Sequence, residues 1–329
     1  MTSAYDIVVI GNALVDVIAS ADDAFLAENG LQKGSMHLID TAEAQRLYGR
    51  MGPGREVSGG SGSNAAVGMA ALGRRVNFIG RVSNDQLGEV FAHDIRASGV
   101  DFTTAYAADG TPTGRCLIVV TPDAQRTMNT FLGTSAMLSE ADVDYGLIAA
   151  CALTYLEGYL WDAADPRAAM AKACEVAHAN GRRVSFTLSD VFCVERHRAD
   201  FLRLARGGVD ILFANENELK SLYETHDFDA AVAAQRGACE VSVITRSEKG
   251  AIVLTKDEAI AIPAEAAARV VDTTGAGDLF AGGFLAGFSE GRALADCAVM
   301  GAVAAAEIIS HIGARPEADL AALVAKRLG

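Results

Sequence analysis

The sequence is short of positive charge. Its 28 Lys and Arg residues are outnumbered by 42 Asp and Glu residues, and the formal net charge is −14. A surface of this sign repels nucleic acid and anionic membranes, so we expect neither as a partner. A bound nucleotide phosphate would therefore need a local positive potential from backbone N–H groups, a metal ion or a few arginines.

Metal and disulfide motifs are also missing. The six cysteines are scattered without a C-x-x-C pair, and we interpret them as reduced core residues of a cytoplasmic protein with no structural zinc. No H-x-x-E or H-E-x-x-H motif occurs among the six histidines. The P-loop pattern G-x-x-x-x-G-K-[ST] is absent, which argues against a P-loop NTPase.

Long apolar runs are absent too. The first five residues are polar and lead straight into a strand, so no signal peptide is predicted. The most apolar long stretch, Leu294 to Ile309, carries Asp296 and Glu307 and predicts a buried helix rather than a membrane span. Half of the 329 residues are hydrophobic, which excludes disorder and predicts a single domain over residues 1–329.

Strand-like and helix-like segments alternate along most of the chain. Asp6 to Ile18 is a β-branched run that predicts one buried strand, and from Leu153 onward short apolar runs alternate with amphipathic segments. This alternation predicts an α/β fold with a doubly wound, mostly parallel sheet flanked by helices. Residues 19–57 are irregular, and two runs within 115–132 predict a hairpin. We expect these two regions to form a small β-sheet lid.

The most informative stretch is the heptapeptide DTTGAGD at residues 272–278, which runs into an apolar segment with helical spacing. A Gly-rich turn at a helix N-terminus exposes the backbone N–H groups of Gly275, Ala276 and Gly277, which can bind an anion. A carboxylate beside that site, Asp278, repels phosphate unless it takes a proton from an attacking hydroxyl. The pattern therefore indicates phosphoryl transfer to an alcohol, and the alternative is an ordinary turn in which an aspartate caps the helix.

The same stretch resembles the signature of the PfkB carbohydrate kinases, a family with the ribokinase-like fold. The resemblance covers nearly the whole chain and implies a kinase that uses ATP and Mg²⁺ and phosphorylates an alcohol. It also implies that Asp272 and Thr274, together with residues 310–314, can hold a monovalent cation such as K⁺.

Polar residues that follow the first strand form a candidate acceptor site. Asn12 and Asp16 can bind vicinal sugar hydroxyls at the carboxyl end of a strand, or they can be a turn residue and a cap. The resemblance assigns Asp16 to two sugar hydroxyls. It assigns the segment that contains Gly59, Gly60 and Asn64 to the substrate sugar.

The candidate nucleotide half begins with the pattern N-x-x-E. Asn215 and Glu218 open a predicted helix and form a possible capping box, whereas the resemblance implies that they order the Mg²⁺ of Mg-ATP through water. The resemblance also places Thr245 and Gly250 at the nucleotide phosphates and ribose. It places Arg126 near the transferred phosphate, and a surface arginine is the alternative.

Within the family, the opening GNALVD and the segment GGSGSN are most similar to the bacterial adenosine kinase type. In that type Tyr159 and Phe192 would flank a purine by stacking, although both can equally be core residues. The resemblance therefore implies phosphorylation of the 5′-hydroxyl of a purine nucleoside. A sugar kinase acting on ribose or fructose and a non-catalytic nucleoside-binding protein are the alternatives. We expect a monomer or homodimer whose partners are small molecules.

Overall fold

A computed structural model describes residues 4–123 and 125–329, and its strands form two sheets. The large sheet has nine strands and the small sheet has five. Residues 1–3, to which part of the signal-peptide prediction applies, lie outside the described residues.

The large sheet is mostly parallel. In spatial order its strands are β14 (Ala259–Ile262), β13 (Ala251–Leu254), β12 (Val241–Thr245), β11 (Ile211–Asn215), β10 (Arg183–Thr187), β9 (Leu153–Glu157), β1 (Ile7–Ile10), β5 (Val76–Ile79) and β6 (Val100–Phe102). All neighbouring pairs are parallel except β12–β13 and β13–β14, which are antiparallel at one edge. The predicted doubly wound, mostly parallel sheet is confirmed.

Helices occupy both faces of this sheet. The helices of the described residues are α1 (Asp23–Glu28), α2 (Thr41–Tyr48), α3 (Ser61–Ala71), α4 (Gln86–Ala97), α5 (Tyr145–Ala150), α6 (Ala164–Ala179), α7 (Val191–Arg203), α8 (Glu216–Leu222), α9 (Phe228–Gln235), α10 (Ala276–Ser289), α11 (Leu294–Ile308) and α12 (Leu320–Leu328). Of these, α2 contacts the small sheet instead. The predicted apolar stretch forms α11, whose residues are largely buried. No helix within the described ranges is long and apolar enough to cross a membrane.

Strand β1 shows how the two layers of helices hold the sheet. Ile7 and Val9 pack into one hydrophobic cluster with α3, α4, α10 and α11, whereas Val8 and Ile10 pack into another with α6 to α9. All four side chains are fully buried, and each such burial contributes about 1.5–3 kcal/mol before the entropy cost. Successive strand residues point to opposite faces, so a strand covered on both faces needs an uninterrupted apolar run.

The small sheet contains both parallel and antiparallel pairs. Its strands, in spatial order, are β3 (Met36–Leu38), β8 (Arg126–Phe131), β7 (Gly114–Val120), β2 (Leu14–Ser20) and β4 (Gly54–Gly59). Strands β7 and β8 form the predicted hairpin. Strand β2 pairs parallel with β7 and antiparallel with β4, so the segment after β1 belongs to this sheet.

The prediction of a single strand from Asp6 to Ile18 is wrong. The chain leaves the large sheet after Ile10 and enters the small sheet at Leu14. Between them, the backbone N–H of Asn12 donates to the side-chain Oε1 of Glu157 at 2.8 Å instead of to a backbone carbonyl of a neighbouring strand. This contact ends the ladder of the first sheet and turns the chain into the second.

Candidate active site

A cavity of about 1150 Å³ lies between the small sheet and the carboxyl ends of the parallel strands. This is where α/β sheets bind ligands. The predicted site residues that line it are Asn12, Asp16, Gly60, Asn64, Tyr159, Phe192, Asn215, Glu218, Thr245, Gly250, Thr274, Gly275, Ala276, Gly277 and Asp278. Gly59, Arg126 and Asp272 lie behind this lining, in contact with residues that form it.

Asp278 lies in the first turn of α10. It accepts hydrogen bonds from Ser61 Oγ at 2.6 Å and from Asn64 Nδ2 at 2.8 Å, and both donors belong to the first turn of α3. Burial raises the pKa of Asp278, and these two hydrogen bonds and the charge of Arg315 oppose the rise. A carboxylate whose pKa lies closer to neutrality is a stronger base, provided that it remains ionised.

The N-terminus of α10 is open toward the cavity. Gly275 precedes it with a φ of +78°, and a Cβ there would lie 2.7 Å from Ala314 Cβ. A Cβ on Gly277 would meet no atom within 4 Å, so that position faces open space. Among the described residues no side chain caps this helix, and one amide, Ala276 N–H, already donates to Thr273 O at 3.2 Å. The remaining first-turn amides and the helix dipole favour an anion.

Asp16 lies on β2, and its carboxylate is free for a ligand. No hydrogen bond to it is formed by any residue that the structure describes. Burial raises the pKa of Asp16 to about 6, and the charges of Arg315 and Arg126 oppose the rise. A Cβ on Gly59 would lie 2.5 Å from this carboxyl group, so a side chain at position 59 would clash with it.

The side chain of Asn12 is already engaged by protein groups. Its Nδ2 donates to Glu157 Oε1 at 2.7 Å, and its Oδ1 accepts from Ser135 Oγ at 2.9 Å. Glu157 Oε2 also accepts from Gly62 N–H at 2.6 Å. Glu157 is fully buried, and burial raises its pKa to about 7. This carboxylate therefore joins the loop after β1 to the start of α3.

Arg126 reaches from β8 to the turn before α10. Its guanidinium donates to the carboxylate of Asp272 and, at 3.1 Å, to Thr274 Oγ1. Asp272 also accepts from the N–H groups of Thr274 at 3.0 Å and Gly313 at 2.9 Å. A K⁺ ion held by Asp272 and Thr274 would need oxygens that Arg126 engages. With Arg126 in this position, the two residues do not fit a monovalent cation.

Asn215 and Glu218 form a capping box at the start of α8. Asn215 N–H and Nδ2 donate to the Glu218 carboxylate at 2.9 and 2.5 Å, and Glu218 N–H donates to Asn215 Oδ1 at 2.9 Å. Burial raises the pKa of Glu218 to about 7. No group of three or more acidic, His or Cys side chains in residues 4–123 and 125–329 is placed to hold a metal directly. The donor set fits a hydrated Mg²⁺ that is held mainly by water and phosphate.

The segment from Thr245 to Gly250 is the loop of the hairpin formed by β12 and β13. Gly250 has a φ of +82°, and a Cβ there would lie 2.0 Å from Ile262 O, so only glycine fits this turn. Thr245, Ser247, Glu248 and Gly250 line the cavity. The loop therefore borders the same space as the open end of α10.

Tyr159 and Phe192 both line the cavity. Tyr159 is partly buried and its hydroxyl donates to Ser189 O at 3.2 Å, whereas Phe192 is 61% exposed. The small sheet adds an apolar wall to the same cavity, formed by Met36, Leu38, Ile118 and Met128. The prediction of aromatic stacking took no account of this wall, because each of its residues looks like an ordinary strand residue in the sequence.

Comparison with known proteins identifies the family. The profile of the pfkB family carbohydrate kinases matches residues 6–320. The chain belongs to this family.

Two solved structures of similar fold align with nearly the whole chain of this kinase. Adenosine kinase from Sinorhizobium meliloti is 48% identical, with a TM-score of 0.91, over 99% of this chain and 100% of that one. A probable sugar kinase from Rhizobium etli CFN 42 is 45% identical, with a TM-score of 0.93, over 99% of both chains. Adenosine kinase from Saccharomyces cerevisiae is 27% identical over 93% of this chain and 95% of its own length.

As a pfkB family kinase, the protein is a phosphotransferase that acts on an alcohol group, and kinases of this family use ATP and typically Mg²⁺. Three residues of this kinase site were missed in the sequence. Ser61 lies inside the glycine-rich segment, and nothing in the sequence marks its contact with Asp278. Glu157 ends a buried strand, where a carboxylate signals a specific partner. Arg315 directly follows Gly313 and Ala314, and its contacts come from segments far away in the chain.

Proposed function

We propose that this pfkB kinase phosphorylates the 5′-hydroxyl of a purine nucleoside, most simply adenosine. One observation carries the proposal: a single cavity contains the base Asp278, the partner-free carboxylate of Asp16 and a broad apolar wall. The carboxylate of Asp16 suits the vicinal hydroxyls of a ribose. The wall suits a flat, uncharged base.

In the proposed reaction Asp278 accepts the proton of the 5′-hydroxyl. The oxygen then forms a bond to the γ-phosphorus of ATP, the bond from phosphorus to the bridging oxygen breaks, and ADP leaves with both bonding electrons. Ser61 and Asn64 hold Asp278 in place throughout. The free amides of the first turn of α10 stabilise the negative charge on the transferred group.

Arg126 and the capping box of α8 would serve the nucleotide. Arg126 lies against Asp272 and Thr274, next to the anion-binding turn, and provides a positive charge close to that turn. A Mg²⁺ ion bound through water near Asn215 and Glu218 would supply charge neutralisation of the ATP phosphates. Thr245 and Gly250 would border the ribose and phosphates of ATP.

The two candidate functions, a purine nucleoside kinase and a sugar kinase, differ in the acceptor that receives the phosphoryl group. Met36 is 37% and Leu38 56% exposed, and together with Ile118 and Met128 they offer apolar surface that a ligand can cover. A free sugar offers hydroxyls on every face and would leave this wall without a partner. A purine nucleoside would cover it with its base while its ribose reaches Asp16.

An ATP-consumption assay with adenosine, guanosine, inosine, ribose and fructose tests the proposal. We expect kcat/KM for one purine nucleoside to exceed that for both sugars by at least about a hundredfold, because stacking and burial of a base are worth a few kcal/mol. Leu38→Ala should raise KM for the nucleoside and leave KM for ATP unchanged. A preference for ribose or fructose would make the protein a sugar kinase.

We further infer that the small sheet acts as a lid over the acceptor. It contributes Asp16, the apolar wall and Arg126, and it is joined to the large sheet by short connections. Amide exchange in residues 19–57 and 115–132 should slow when adenosine binds, whereas exchange in β10 should stay unchanged. Protection limited to residues 272–278 would indicate a rigid, open site.

A further inference from the structure

Arg315 lies under the site, in the segment between α11 and α12, and does not line the cavity. Its guanidinium donates to Asn64 Oδ1 at 2.5 Å, to Ser58 O at 2.5 Å, to Ser58 Oγ at 2.8 Å and to Ser63 Oγ at 2.7 Å. All of these acceptors are neutral. Among the described residues, none forms an ion pair with Arg315.

Burial among neutral acceptors is energetically unfavourable for a cation such as the guanidinium of Arg315. The Nε atom of Arg315 is buried without a hydrogen-bond partner, and burial lowers the pKa of the guanidinium. A charge removed from water without an adjacent counter-ion is costly unless it serves charges elsewhere. The acidic groups whose fields act on Arg315 are Asp16, Asp94 and Asp278. Two of these three line the cavity.

Asn64 is the link between Arg315 and the base. An arginine can only donate hydrogen bonds, and an ionised carboxylate can only accept them. Asn64 lies between the two, with Oδ1 toward Arg315 and Nδ2 toward Asp278. Arg315 therefore excludes the flipped amide, which would turn an oxygen toward the carboxylate and repel it.

Arg315 also holds the strand opposite Asp16. It binds both the carbonyl and the hydroxyl of Ser58, whose N–H and Oγ donate to Asp94 at 2.8 and 2.5 Å. Ser58 precedes Gly59, the residue that abuts the Asp16 carboxyl group. One side chain thus reaches the supports of both the base and the hydroxyl-binding carboxylate.

We propose that Arg315 is the positioning residue of this site: it fixes the amide of Asn64 and supplies the positive charge that faces both Asp278 and Asp16. The proposal rests on the kinase function proposed above, in which these two carboxylates act in ionised form. Arg315 itself touches neither substrate.

Other charged groups face the two carboxylates as well. Asp278 and Asp16 act on each other, and further charges near one or both belong to Arg126, Glu157, Glu218 and Asp272. These groups stay in place when Arg315 is replaced. A change in pH dependence on replacing Arg315 therefore reports the loss of its own charge.

The test compares Arg315→Gln, Arg315→Lys and wild type in kcat/KM for the preferred nucleoside between pH 5 and 9. In Arg315→Gln the acid limb, which is the low-pH side of the pH profile of kcat/KM, should move upward by about one pH unit. The reason is that the variant lacks a nearby cation that favours the ionised form of both carboxylates. At pH 6 the loss of kcat/KM should then be about fivefold greater than at pH 8 for a group whose pKa starts at about 6. Calorimetric titration of the nucleoside at both pH values gives the matching readout in binding alone.

Arg315→Lys separates charge from positioning. Lysine keeps the charge but cannot hold Asn64, Ser58 and Ser63 at once from a single ammonium group. We expect its acid limb at the wild-type pH and its kcat severalfold below wild type. If thermal unfolding shows that the glutamine variant does not fold, the lysine variant still tests the proposal. A displaced acid limb in Arg315→Lys would contradict the role of the charge, and a wild-type kcat would contradict the role in positioning.

Arg74→Gln is the matched control. Arg74 also has a buried Nε without a partner, but it pairs with Glu290 at 2.6 Å and lies outside the cavity lining. Its loss should leave the acid limb unmoved. An active wild type whose acid limb is the same in Arg315→Gln would refute the role of Arg315, whereas a wild type inactive on every nucleoside would refute the proposed function instead.

Discussion

At the scale of single residues, the site depends on carboxylates that burial makes more basic and that named partners keep in place. Asp278 has two donors on α3, whereas Asp16 has none. This difference matches their proposed roles, because a base must be held at one point and a hydroxyl-binding group must keep its acceptors free. The two residues can therefore be tested separately.

Asp278→Asn should lower kcat by about two to four orders of magnitude, which is the usual contribution of a general base. The fold should persist, because an asparagine can accept from Asn64 through its oxygen and donate to Ser61 through its nitrogen. Steady-state kinetics and nucleoside titration measure the two effects. A variant with nearly wild-type kcat would remove Asp278 from the base position, and Ser61→Ala serves as the milder control.

Asp16→Asn should raise KM for the nucleoside by about ten- to a hundredfold with little change in KM for ATP, because hydrogen bonds to a charged group are lost. The wild type should also lose kcat/KM below pH 6, since the pKa of Asp16 is about 6 and the protonated acid is a poorer acceptor. Equal use of adenosine and 3′-deoxyadenosine by the wild type would argue that Asp16 does not bind the ribose hydroxyls.

At the scale of elements, the start of α10 contains two glycines, Gly275 and Gly277, whose substitution should affect stability and activity differently. Gly275→Ala places a side chain at a φ of +78° and within 2.7 Å of Ala314 Cβ, so the free energy of unfolding should fall by about 2 kcal/mol or more. Gly277→Ala meets no neighbour and favours the helix by up to about 1 kcal/mol, but its methyl group projects toward the cavity.

The expected contrast is a destabilised Gly275→Ala variant and a Gly277→Ala variant of unchanged or higher stability with a raised KM for ATP. Denaturant unfolding and steady-state kinetics on both variants measure it. If Gly277→Ala is fully active, the first turn of α10 does not approach the phosphates closely.

The sequence indicated most of the elements from Leu153 onward, although neither β14 nor α12, because alternating strands and helices differ there in both length and period. It did not indicate that Ile10 and Leu14 belong to different sheets, since the runs before and after the turn are both rich in β-branched residues. Strand β4 was also missed: the segment before Gly59 contains Gly52, Pro53 and Gly54, and it forms a strand only because β2 is available to pair with it. Similarly, Arg315 carries no local pattern, because its partners come from residues 58–64.

At the scale of the whole molecule, buried acids govern how the stability of the fold depends on pH. The pKa values of Asp16, Glu157 and Glu218 rise to about 6, 7 and 7, above their ordinary values of about 4 in the unfolded chain. Between pH 4 and 7 the folded protein therefore binds more protons than the unfolded chain. Linkage then requires that the free energy of unfolding falls as the pH rises through this window.

We expect the ligand-free protein to melt roughly two to five degrees higher at pH 5.5 than at pH 7.5. Differential scanning calorimetry at constant ionic strength measures the shift. Asp6 and Asp123, whose pKa values are lowered, act below this window and do not oppose the trend. A melting temperature that rises steadily from pH 5.5 to 7.5 would show that these three acids are not buried in the way described.

The connections of the small sheet have one more consequence. Leu14 pairs with Gly59 on one side and with Gly114 on the other, so the places where the chain passes between the two sheets stand next to one another. Each inserted segment, 14–59 or 114–131, therefore begins and ends at nearly the same point in space. A change of loop length within either segment therefore need not stretch the phosphate-handling half, provided that the pairing of β2 with β7 and the contact of Arg126 with Asp272 are kept. Acceptor preference in this scaffold is thus open to modular redesign.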